Sequence, residues 1–189
     1  ASSNVTAATG SYAFWIKAQE TVGSIAGDQY LFDIRSDASN RLAVYLDASE
    51  DDLTLNTNGT ETSSVGTTVG AGAWVHLVVT WDFTNDQYKV YRNGNATPII
   101  STTTALTAPT LPTNFAVGSD YANANNFNGT ITESRVYSSV LTSAEISDLY
   151  YAGLGAYQTD IPVDRFSAAK GQNPMAIYHF DEGYGATAY

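Results

Sequence analysis

Apolar and polar residues alternate in short runs along most of the chain, with Gly, Asn, Asp and Ser gathered between the runs. A period of two sends successive side chains to opposite faces of a strand, so each run predicts a strand of an antiparallel sheet. In SYAFWIKA, Tyr12, Phe14 and Ile16 share one face while Ala13, Trp15 and Lys17 share the other. QYLFDIRS, RLAVYLDA and DLTLNT predict three more short strands. WVHLVVTWD, from Trp74 to Asp82, is apolar at nearly every position and predicts a central strand covered on both sides. FTND then turns the chain into QYKVYRNGN, where Asn93 and Gly94 suit the two positive φ angles of a type I′ turn.

The second half is less regular. Ser101 to Thr113 is rich in Thr and holds Pro109 and Pro112, which predicts an edge or a loop. FAVGS and GTITESRVYS resume the strand pattern. A single helix is expected near residues 143–151. Thr142 and Glu145 form a capping box, Ile146, Leu149 and Tyr150 fall at helical spacing, and Gly153 is placed to end it. The stretch 156–173 has no clean period and reads as an extended linker. The fold class expected is therefore all-β, a two-sheet antiparallel jelly-roll sandwich with one short helix.

Composition narrows the function classes. The chain has 189 residues, enough for one core, and no cysteine, so neither a disulfide framework nor a thiolate zinc site is available. Nineteen acidic residues against eight basic ones give a net charge of −11, which repels phosphate backbones and argues against nucleic acid as a partner. No apolar run of membrane-spanning length occurs, so membrane insertion is not expected.

Few residues suggest chemistry. Glycoside hydrolysis on such a sandwich would need two carboxylates about 5–9 Å apart, most simply at alternate positions of one strand. None of the predicted strands offers that pair. The acidic cluster from Asp47 to Asp52, with Glu50, sits at a strand–turn boundary and reads as solvated or turn-capping, so no catalytic residue is assigned. His76, inside the most apolar strand, reads as a hydrogen-bonded structural histidine. Glu133 and Arg135, two apart on one strand, read as a structural ion pair. Trp74 and Trp81 read as core.

The loop from Gly118 to Gly129 is the best candidate site. It gathers Asp120, Asn123, Asn125 and Asn126 around Tyr121, a set that supplies oxygens to calcium or planar hydrogen-bonding groups beside an aromatic face to a sugar. Its plainer reading is a polar turn. Asp82, Asn85 and Asp86 form a second candidate that also reads as an ordinary turn.

FWIK, then WVHLVVTWD followed by VYRNG, and above all FNGTITESRVYSSVLTSAEISDLY resemble the laminin G-like branch of the concanavalin A-like lectin and glucanase superfamily. The resemblance spans most of Ser11 to Tyr151, within a domain taken as 1–155. It implies a jelly roll outside cells or on a cell, appendage or virion surface. The implied partners are glycans or surface proteins, in some relatives with calcium. Thr132 stands where the family's closing strand has an acidic residue, which weakens a metal site there.

A second departure concerns the end of the chain, 174–189. YHFDEGYGATAY is similar to the strand with which family members begin. Ile177, Tyr178 and Phe180 are thus expected to act as a sandwich strand, in the chain's own domain, in a neighbouring copy, or in a further repeat. Asp181 and Glu182 would join Asp120 as calcium ligands if the tail packs nearby. Two function classes follow: a non-catalytic glycan-binding or adhesion module, and a structural subunit that self-associates into an oligomer or filament by strand donation.

Overall fold

The computed structural model describes residues 8–37, 40–64, 69–103, 114–157 and 176–178. Asp181 and Glu182 of the expected metal set, Phe180 of the expected donor strand, and most of the expected linker lie outside these residues.

Two antiparallel sheets face each other. The first comprises β1 (Thr9–Ala18), β6 (Trp74–Asp82), β7 (Gln87–Arg92), β8 (Ile100–Thr102), β10 (Gly129–Tyr137) and β11 (Ala176–Tyr178). Its order is β11-β10-β1-β6-β7-β8. The second comprises β2 (Gln29–Asp37), β3 (Asn40–Asp47), β4 (Asp52–Thr57), β5 (Thr60–Ser63) and β9 (Asn114–Val117), in the order β5-β4-β3-β2-β9. This is the expected jelly-roll sandwich. Neighbours distant in sequence, such as β1 with β6 and β10, form its centre.

The core lies between the sheets and follows the alternation. Tyr12, Phe14 and Ile16 of β1 meet Leu31, Phe32 and Ile34 of β2 and Leu42, Val44 and Leu46 of β3, all buried. Aromatic edges interlock there: Tyr12 lies 5.3 Å from Phe32 at a steep angle, the edge-to-face geometry that ring quadrupoles favour. Ser134 turns inward beside these rings, and its Oγ satisfies the buried Tyr12 hydroxyl at 2.9 Å.

The outer face of the first sheet is covered by the helix α1 (Ser143–Tyr157). Thr142 caps it as expected: its N–H donates to Glu145 Oε2 at 2.8 Å, and the Glu145 N–H donates back to Thr142 Oγ1 at 3.3 Å. Ile146 and Leu149 pack with Ala13, Val78, Tyr91 and Tyr137. Gly153, however, does not end the helix, which continues to Tyr157 and so enters the stretch expected as linker. Gly153 instead lets α1 approach Trp15, for a Cβ there would lie 2.8 Å from Trp15 Cε2. Tertiary closeness, not a helix stop, explains this glycine.

Two smaller differences also have physical reasons. Trp81 is fully buried in the core, but Trp74 is only half-buried and stands at the rim with the Lys17 ammonium 5.9 Å from its ring. Trp74 occupies the first position of β6, where the sheet ends, so it is not core. The strand β5 carries a polar TETS pattern with no apolar alternation, and for that reason it gave no strand signal.

β10 contains a bulge. Ala13 faces Arg135 and Trp15 faces Thr132, so Phe14 stands opposite two residues, Glu133 and Ser134. Glu133 adopts a φ of 53°, costly for a residue with a Cβ, and its carboxylate pairs with Arg135. On the other side of β10, Ser134, Arg135 and Val136 pair with Tyr178, Ile177 and Ala176 of β11. Among the described residues, no helix is long and apolar enough to cross a membrane.

Candidate functional site

With α1 on the first sheet, the second sheet presents its outer face differently. Along β2, Phe32 and Ile34 point into the core, so Asp33 and Arg35 point out. Along β3, Leu42, Val44 and Leu46 point in, so Arg41, Ala43, Tyr45 and Asp47 point out. Cross-strand register aligns these residues into rows. Ala116, Asp33, Ala43, Asn56 and Glu61 form one row across all five strands. Tyr30, Tyr45, Thr54 and Ser63 form the next, and Arg35 sits opposite Arg41 on the other side.

The face is a hydrogen-bonded surface rather than an apolar one. Asp33 is completely buried and receives Arg41 Nε at 3.0 Å and Arg41 Nη2 at 2.9 Å, a two-pronged guanidinium–carboxylate pair. The Arg41 guanidinium lies over the Tyr30 ring at 4.8 Å, and Tyr30 stacks on Tyr45 with centroids 4.5 Å apart. The Tyr45 hydroxyl donates to Glu61, which also accepts Asn56 Nδ2 at 3.1 Å. Burial, reinforced by the Glu61 carboxylate, raises the Tyr45 hydroxyl well above the ordinary tyrosine range, so it stays a donor.

The Gly118–Gly129 loop borders this face. Asp120 Oδ1 accepts the Ala124 N–H at 2.8 Å, and its Oδ2 accepts Asn125 Nδ2 at 2.9 Å. Burial alone would raise the Asp120 carboxyl, but these hydrogen bonds outweigh it and hold it below the usual range. The Asn125 carbonyl accepts the Tyr30 N–H at 3.1 Å, and Asn126 bridges to Tyr30, which fixes the loop beside β2. Tyr121 is held more directly still. Its N–H donates to Asp33 Oδ2 at 3.0 Å, and its half-exposed ring carries the Arg35 guanidinium at 3.4 Å. Asn123 and Asn126 are exposed in the same loop.

The residues expected at the site therefore divide into two kinds. Asp120 and Asn125 staple the loop, whereas Tyr121, Asn123 and Asn126 face outward. A calcium ion at Asp120 would have to displace two hydrogen bonds already made. No three His, Asp or Glu side chains converge as a metal set among the described residues. The other acidic clusters are turns: Asp82 accepts the Thr84 and Asn85 N–H groups, each at 3.0 Å, and Asp47 Oδ1 accepts the Ser49 N–H at 2.8 Å.

Beneath α1, His76 packs between Trp15, at 5.1 Å, and Tyr150, at 6.0 Å. Its Nδ1 is buried without a hydrogen-bond partner among the described residues, so the hydrogen bond expected of this histidine is not made at that nitrogen. Burial, with the Arg135 charge adding to it, pushes the imidazole down to about 3.

Tyr30, Asp33, Arg35, Arg41 and Tyr45 were not singled out from the sequence. Their signal was present, since each stands next to an inward-facing apolar residue of QYLFDIRS or RLAVYLDA. Only cross-strand register shows that they adjoin Tyr121.

Two packed sheets with one face under a helix and the other lined by fixed polar and aromatic side chains define a lectin-like jelly-roll domain. The chain belongs to the concanavalin A-like lectin/glucanases superfamily, whose laminin G-like family model matches residues 1–147. No curated protein matches the sequence. Among solved structures, the chain is similar to a heptameric SAP-like pentraxin from Limulus polyphemus. The TM-score is 0.60 at 14% identity, covering 92% of this chain and 81% of the pentraxin. It is also similar to domain 4 of AbnA, a GH43 extracellular arabinanase from Geobacillus stearothermophilus solved with arabinotriose. There the TM-score is 0.59 at 21% identity, over 76% of this chain and 67% of that domain. A third is the CBM40 of a Ruminococcus gnavus IT-sialidase bound to α2,3-sialyllactose, with a TM-score of 0.54 at 16% identity, over 78% and 86%. At these identities the structural likeness speaks for the fold.

Proposed function

We propose that the protein is a non-catalytic glycan-binding module, secreted or displayed on a surface. The observation that carries this reading is the Tyr121 ring, half-exposed yet immobilised by Asp33 through its backbone and by Arg35 against its face. A sugar offers an apolar C–H face and a rim of hydroxyls. An exposed ring in a loop that also exposes Asn123 and Asn126 matches both needs, and a ring held in advance loses little entropy on binding. The family and the sugars named with the arabinanase domain and the CBM40 support the same reading. The carboxylates of Asp33 and Asp120 are occupied as hydrogen-bond acceptors within the domain, which suits a binding surface better than acid–base chemistry.

The test is a glycan array followed by isothermal titration, each run with calcium and with a chelator, on the wild type and on Tyr121→Ala. Binding that weakens about tenfold or more in the variant, with an unchanged circular dichroism spectrum, supports the module. Absence of binding to any sugar in both conditions overturns it. A difference between the calcium and chelator arms decides whether the metal assists.

One observation favours the second reading, a self-associating structural subunit. The described part of β11 is three residues long and closes the β10 edge of the first sheet. A strand paired at a sheet edge is the kind of element that copies of a protein exchange.

A further inference from the structure

We infer that the glycan bound at this face is anionic, a sugar carrying a carboxylate, and that Arg35 is the group that reads it. This rests on the module reading and narrows it to one chemical class.

Arg35 and Arg41 stand directly opposite each other on β2 and β3, a like-charge pairing that is destabilising when uncompensated. Among the described side chains, one of the two charges is offset by a carboxylate. Arg41 has its fork closed on Asp33, whereas Arg35 makes no ion pair with any described carboxylate. In a chain of eight basic and nineteen acidic residues, leaving one guanidinium unmatched beside another is a local excess of positive charge against the overall field.

The geometry also says which part of Arg35 is available. The guanidinium carbon lies over Tyr121, 3.4 Å from the ring centroid, a separation at which an upright cation would drive a nitrogen into the ring, so the ring takes a face of the cation and not its edge. The N–H donors lie in the guanidinium plane, where they are arranged to take a carboxylate through two parallel hydrogen bonds. Asp33, which accepts the Tyr121 N–H, sets the ring under Arg35 and is therefore a positioning residue. A uronic or sialic acid placed here would set its carboxylate against the Arg35 edge and its ring beside Asn123 and Asn126. Because the whole protein is acidic, a polyanion is not drawn in from a distance, and discrimination rests on this short-range pair.

Isothermal titration compares a galacturonic acid oligosaccharide with its fully methyl-esterified form, and 3′-sialyllactose with lactose, with a sulfated oligosaccharide as a further arm. The acid of each pair is expected to bind about tenfold or more tightly than its neutral counterpart, with the margin shrinking as salt rises. Arg35→Gln is expected to erase that margin, bringing the acid of each pair to the affinity of its neutral counterpart whatever the loss common to both, and Arg35→Lys to restore only part of it. Equal affinity for acid and ester, or a preference that survives Arg35→Gln, overturns the inference and leaves the module intact. Tighter binding of the sulfated probe than of either acid overturns the carboxylate assignment. Failure of every sugar, neutral and acidic, removes the module reading as well.

Discussion

The buried carboxylate of Asp33 accepts the backbone N–H of Tyr121 at 3.0 Å, across 88 residues of sequence. The same carboxylate grips Arg41, so one side chain joins β2, β3 and the loop.

Asp33→Ala is therefore expected to cost about 2–4 kcal/mol, because it strands the largely buried Arg41 charge and frees the loop. For a chain of this size that lowers Tm by roughly 4–16 °C. The double variant Asp33→Ala/Arg41→Met should recover part of the loss, since no unpaired charge remains. Calorimetry reads both, and a Tm change under about 2 °C for the single variant would contradict the assigned role.

Gly153→Ala reverses the usual expectation for a helix. Alanine normally stabilises a helix interior by about 1 kcal/mol over glycine. Here the added methyl meets the buried Trp15 indole, and overpacking against a rigid ring costs about 1–3 kcal/mol. Urea denaturation of the variant should show a lower midpoint with an unchanged slope. A raised midpoint would mean that α1 does not rest on Trp15.

His76 makes stability depend on pH in one direction. Its folded pKa, about 3, lies below the ordinary histidine value, so the unfolded chain binds the extra proton first. The contribution is complete above about pH 6.5 and is lost as pH falls toward the folded value, at up to about 1.4 kcal/mol per pH unit. Trp15 on β1, Tyr150 on α1 and Arg135 on β10 surround the ring, and the Arg135 charge strengthens the effect. Chemical denaturation of wild type and His76→Phe between pH 7 and 5 isolates it. A wild-type stability that does not fall relative to the variant over that window would refute the buried neutral imidazole.

Deleting Asn173 to Tyr189 removes β11 and exposes the β10 edge. If copies exchange this strand, light scattering should show oligomers in the full chain that disappear in the truncation. If the strand serves its own domain, the full chain stays monomeric and the truncated one loses stability or associates nonspecifically. Oligomers unchanged by the truncation would end the strand-exchange reading.

The sandwich was legible because burial on one face imposes a period of two. Tyr12, Phe14 and Ile16 declare their face without reference to any partner, and the Thr142–Glu145 box declares the start of α1 from local hydrogen-bonding alone. The Asn-rich loop around Tyr121 was also visible. Three things were not: that Gly153 continues the helix, that Trp74 sits at a rim, and that Arg35 lies on Tyr121. Each depends on a neighbour brought in from elsewhere in the chain. Alternation tells which side chains leave the core, but cross-strand register and loop docking choose their companions. Thus the residues facing outward on β2 and β3 follow from the order of amino acids. Their union with Tyr121 into one surface exists only because Asp33, in the folded sheet, satisfies an amide 88 positions away.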